Sequence, residues 1–95
     1  MIDEFAKHLL ADGKSPKTVE SYVGDVAGFL EYLKSMGVEQ ETELRRYYVT
    51  SFRNFLVQNG FKPATVNKKI NSLAMFNQFL LEQGVSSEQA VQPKK

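Results

Sequence analysis

GKSPKTVESYV, residues 13–23, and GFKPATVNKKI, residues 60–70, are two versions of one pattern. Gly13 aligns with Gly60, Pro16 with Pro63, and Thr18-Val19 with Thr65-Val66. The register then runs on without a gap through Ala27/Ala74, Phe29/Phe76, Leu33/Leu80, Gly37/Gly84 and Val38/Val85. In both versions the proline follows a glycine turn. A proline at the first helical position loses nothing, because its missing N–H would have had no partner there. Ser15, just before the first proline, can also cap the free amides. Behind each start, Val19, Tyr22, Val26, Phe29, Leu30 and Leu33, or Val66, Ile70, Leu73, Phe76 and Leu80, return every three or four residues. That is the period of a buried helical stripe. The repeat therefore predicts two equivalent long helices.

Two shorter helices complete the reading. Phe5, Leu9 and Leu10 recur at helical spacing before Asp12-Gly13, and Tyr48, Phe52, Phe55 and Leu56 do so before Asn59-Gly60. No segment alternates as a strand. The expectation is an all-α fold, a compact four-helix bundle with helices at roughly 2–12, 16–36, 44–58 and 63–83. VSSEQAVQPKK, from Val85, loses the periodicity and reads as a linker or frayed end.

At 95 residues the chain makes one domain with a modest core. It has no cysteine, which excludes disulfides and thiolate metal sites. No run is long and apolar enough to cross a bilayer, and the N-terminus lacks the order of a signal peptide, so a cytoplasmic location and no membrane partner are expected. The net charge is only +1, but it is unevenly spread. Acids dominate up to Glu43; from Leu44 to Leu81 there are none, while Arg45, Arg46, Arg53, Lys62, Lys68 and Lys69 all fall there. That half can meet a polyanion without repelling it.

On a wheel of about 100° per residue, Lys17, Ser21, Gly24 and Gly28 face outward on the second helix. Thr65, Lys68, Ser72 and Met75 do so on the fourth, with Asn67 and Asn71 to one side. Lysines and small polar groups at a helix start suit phosphate, because amides and the helix dipole point at the anion. The glycines in mid-helix cost roughly 1 kcal/mol each against alanine, so either a ligand's or a neighbouring helix's close approach is expected at them. Glu20 and Asp25 lie on or beside the same side; Asp25 either stays there or caps or pairs with a neighbouring lysine. Asn77, among apolar positions, reads as a satisfied core amide. His8, the lone histidine, reads as a surface side chain, and Glu39, Glu41 and Glu43 as a wet loop. No catalytic set, metal site or cofactor site is expected.

These residues resemble a known family. Residues 13–22, Asp25 and Phe29-Leu30-Glu31-Tyr32-Leu33 resemble the opening of the core-binding domain of tyrosine recombinases, the phage-integrase family. Pro63 to Ile70, Leu73, Phe76 and Phe79-Leu80 are similar to its second signature. The resemblance implies a SAM-like domain over residues 1–85 that forms one arm of a clamp on double-stranded DNA. Residues 86–95 would be a linker toward a C-terminal catalytic domain, and the chain a fragment of a longer recombinase cut at that point. Carried over, the DNA contacts are Lys17, Thr18, Ser21, Thr65, Lys68 and Ser72, with Lys14, Lys62, Asn67 and Lys69 added by neighbourhood and charge. Lysine lacks the bidentate fork of the arginine found in many members, which favours phosphate contact over base reading. Tyr22, Tyr32, Tyr47 and Tyr48 lack the partners of the family's nucleophile, so the module itself is expected to be non-catalytic. Implied partners are DNA, the catalytic domain and other recombinase protomers. The alternative is a helical protein-interaction module serving recombinase assembly through Phe5 and Leu9 of the acidic first helix. A helix-turn-helix reader fits less well, because a whole helix separates the two matching ones.

Overall fold

The computed structural model describes residues 2–38 and 46–84. It contains four helices, α1 (Ile2–Ala11), α2 (Pro16–Ser35), α3 (Arg46–Gln58) and α4 (Pro63–Glu82), and no strand among the described residues. The expected tail and the first two residues expected in the third helix lie outside the described residues. So do Arg45 and the acidic loop of Glu39, Glu41 and Glu43.

Local chemistry sets the helix ends where the sequence placed them. Pro16 and Pro63 open α2 and α4. At Gly13 and Gly60 the backbone turns left-handed, with φ 91° and 83°, a conformation that only glycine adopts at little cost. Past each turn an amide reaches back across the last helical turn: Lys14 to the Leu9 carbonyl and Phe61 to the Leu56 carbonyl, both at 3.1 Å. Val38 closes α2 on Leu33 in the same way at 3.0 Å.

The core consists of Phe5 and Leu9 from α1, Val19, Val26, Phe29 and Leu33 from α2, Val49, Phe52 and Leu56 from α3, and Val66, Leu73, Phe76, Phe79 and Leu80 from α4. Burying one such side chain stabilises the fold by about 1.5–3 kcal/mol. Three assignments of the apolar stripes change. Leu10 is half exposed and Phe55 somewhat less so, at 49% and 40%; Val49, not Phe55, completes the α3 seam. Phe79 joins the core of α4. Asn77 is buried, and no buried side-chain nitrogen or oxygen among the described residues lacks a partner.

The repeat extends further than its two long helices. At the offset of 47 residues, Phe5 corresponds to Phe52, Leu9 to Leu56, Val26 to Leu73 and Ile2 to Val49. The hairpin α1–α2 is thus repeated by α3–α4. The packing repeats as well. Phe29 meets Phe52 edge-on at 5.3 Å and 70°, and their counterparts Phe76 and Phe5 meet at 5.1 Å and 71°. Tyr32 lies 5.2 Å from Phe52; Phe79 lies 5.6 Å from Phe5. Tyr32 also lies 4.8 Å from Phe55, matched by Phe79 at 5.1 Å from His8. His8 is therefore not a plain surface residue: its ring packs where the other hairpin has a phenylalanine. Matching contacts of this kind require an approximate two-fold axis between the hairpins.

Candidate nucleic-acid interface

The axis runs through the crossing of α2 and α4. Only residues close to a two-fold axis touch their own counterparts, and two such pairs do so. Ser72 Oγ donates to Asp25 Oδ2 at 2.6 Å, and Lys68 Nζ donates to Ser21 Oγ at 2.6 Å. Each pair is separated by the 47-residue offset. The outer faces of the two echoing helices thus form one seam.

Asp25 organises that seam. It is 8% exposed and accepts from Lys68 at 2.6 Å, from Lys69 at 3.3 Å and from Ser72. Burial works to raise its carboxyl's pKa, but the hydrogen bonds from Lys68, Ser72 and Lys69 outweigh it and hold the group below its ordinary value. Of the alternatives open in the sequence, pairing with lysine is the one realised, and the lysines come from the other hairpin. Lys69 also lies 5.9 Å over the ring of Phe61. Two ammoniums on one carboxylate leave one positive charge over. Lys68 carries it outward, its side chain 53% exposed.

The candidate contacts separate accordingly. Lys68 and Ser21 are exposed and joined on the seam; Lys69 is half buried beside them. Lys17, Thr18, Lys62 and Asn67 are exposed, and Lys14 and Thr65 are half buried, with no hydrogen bond tying these six to the Asp25 cluster. Ser72 is a correction. It is completely buried and turned inward onto Asp25, so it cannot reach a ligand. The wheel placed it outward because it lies opposite Val66, but α2 crosses that side of α4. Met75, half buried, shifts for the same reason.

The two helix starts also differ. Ser15 Oγ accepts from the Thr18 amide at 3.2 Å and donates to the Thr18 hydroxyl at 3.0 Å. At α4 the cap residue is Lys62, and no side chain bonds the amides behind it. The start of α4 is therefore the more open to an anion. Gly24 and Gly28 face solvent; a Cβ at either position would meet nothing within 4 Å. No neighbouring helix explains them, which removes one of their two readings. The assembly face is corrected too, since Phe5 and Leu9 are fully buried. Among the described residues no cluster of acids or histidine is placed to hold a metal ion, and no helix is long and apolar enough to cross a membrane.

A four-helix domain with a lysine-bearing seam on its repeated helices is the class the geometry defines. Over residues 2–84 the sequence matches the family described as phage integrase, N-terminal SAM-like domain. The chain belongs to that family, and its four helices and matched range fit the SAM-like bundle. Comparisons with curated proteins and with solved structures gave no match.

Proposed function

We propose that this domain is the DNA-binding module of a site-specific tyrosine recombinase or integrase. It grips duplex DNA through the outer faces and starts of α2 and α4, and so positions a separate catalytic domain. The observation that carries the reading is the seam itself: Lys68 held outward beside Ser21, flanked by Lys17 and by the uncapped start of α4 at Lys62. Lys14 and Lys69 add charge at its margins, and Thr18, Thr65 and Asn67 supply neutral donors for phosphate oxygens. Gly24 and Gly28 keep the outer face of α2 low, which suits approach of a sugar-phosphate backbone. With about four to six phosphate contacts, binding by the module alone is weak and falls steeply with salt. The domain performs no strand cleavage itself; that chemistry belongs to the catalytic domain.

The test is an amide chemical-shift titration with a short duplex at low and then higher salt. Shifts concentrated at residues 14–24 and 62–71, lost at higher salt, support the reading. Silence of both segments rejects it.

A second reading, assembly between protomers, keeps one observation. Ala6, Leu10, Pro16, Val19 and Val23, together with Lys17 and Glu20, line a shallow, mainly apolar groove of about 620 Å³ between α1 and α2. If the domain self-associates through this groove, the neutral change Leu10→Ser abolishes the association and, altering no charge beside Lys17, leaves DNA binding intact.

A further inference from the structure

We propose that Asp25 is a positioning residue for DNA binding: it sets Lys68 as a pre-aimed phosphate ligand on the α2–α4 seam. The proposal rests on the DNA-binding reading above.

An acid beneath a phosphate-binding surface should, by charge alone, weaken binding. The geometry around Asp25 argues the opposite. Its carboxylate is buried, fixed by Ser72 from below and shared by two ammoniums. Lys68 Nζ is held at 2.6 Å from Oδ2 and at 2.6 Å from Ser21 Oγ. An ammonium has three donors. Two are spent on these fixed partners, so the third is directed from a defined point on a half-exposed side chain.

A free lysine loses considerable rotamer entropy when it settles on a phosphate. Here that loss is met during folding, and the site keeps a net positive charge because Lys69 offsets the acid. The ammonium also sits at the approximate two-fold axis, where both hairpins contribute: Ser21 and Asp25 from one, Lys68 from the other. Without Asp25, Lys68 retains its charge but not its aim.

Asp25→Asn tests this with an unusual sign. The substitution removes one negative charge from a surface that binds a polyanion, yet the expected result is about 5-fold weaker binding to a short duplex, from lost pre-organisation. In a Lys68→Met background the same change should not weaken binding. In the free domain the Lys68 ammonium ¹H–¹⁵N resonance should be observable at low temperature in wild type and lost in Asp25→Asn.

If Asp25→Asn binds as tightly as wild type or more tightly, Asp25 is only an opposing charge and the proposal is overturned. The same holds if the loss persists unchanged with Lys68→Met. Should Asp25→Asn not fold, Ser72→Ala loosens the carboxylate with no charge change; weaker binding with loss of the ammonium signal supports the proposal, and unchanged binding overturns it. Failure of the wild-type domain to bind overturns the DNA reading and this inference together. Wild-type binding with an indifferent Asp25→Asn overturns the inference alone.

Discussion

Ser72 and Asp25, joined by a 2.6 Å hydrogen bond, occupy the same position in two successive helical hairpins. One copy of the repeat carries the acceptor and the other the donor. An identical pair at this place would be two facing carboxylates or two facing hydroxyls. Two hydroxyls would still bond each other, but would draw no lysine; the divergence of the copies therefore supplies the charge, and with Lys68 opposite Ser21 it turns the repeat's axis into a charged seam.

Acidification weakens this seam. The folded-state pKa of Asp25 is depressed, so its contribution is present above the unfolded carboxylate value of about 3.9 and is lost as pH falls through the lower folded value. At pH 7, Asp25→Asn should destabilise the domain by about 1–3 kcal/mol, below the cost for a fully enclosed pair because Lys68 is half exposed. Urea unfolding at pH 7 and pH 3 checks this. The gap between wild type and variant should narrow at the lower pH.

Equivalent positions in the two hairpins should respond alike. Leu9→Ala and Leu56→Ala each remove a fully enclosed side chain from matching sites, and each should cost about 2–5 kcal/mol. Leu10→Ala, next to the first, should change stability by roughly 0.5 kcal/mol or less. Denaturant midpoints of the three variants separate core from surface on α1.

Gly24→Ala distinguishes folding from binding on one residue. A Cβ there meets nothing within 4 Å, so the helix should gain roughly 0.5–1 kcal/mol in thermal unfolding. If DNA backbone approaches this face closely, the more stable variant binds less tightly. Unchanged affinity would move the contact to the α4 side of the seam.

Lys68→Met should weaken duplex binding and lower the magnitude of the slope of log K against log salt by about 0.9, the value for one lost phosphate contact. A fluorescence-anisotropy salt series measures it. A slope identical to wild type would place Lys68 outside the contact.

Much of the fold could be read before any coordinates, because the helices announce themselves. Proline opens α2 and α4, a left-handed glycine follows α1 and α3, and a single apolar stripe marks most of each helix. The fuller duplication was also present in Phe5/Phe52 and Leu9/Leu56, but α1 and α3 differ at nearly every other position. The seam was less legible. A stripe argument assumes one buried face, whereas α4 packs against all three other helices and buries Ser72 and Asn77 as well as its apolar residues. Likewise, an acid among lysines reads as surface until the crossing of a distant helix covers it. Asp25 became a site residue only through partners more than forty positions away.

The approximate two-fold axis also bears on where this chain can be cut and rejoined. It relates the end of α2 and the start of α3 to the end of α4 and the start of α1: at the 47-residue offset Gly84 stands where Gly37 does, and Ile2 where Val49 does. The eleven residues 38–48, which span Gly37 to Val49, therefore set the length of a linker that would join Gly84 to Ile2. A circular permutant beginning at α3 and ending after α2 would retain the order of helices around the core and fold to the same bundle.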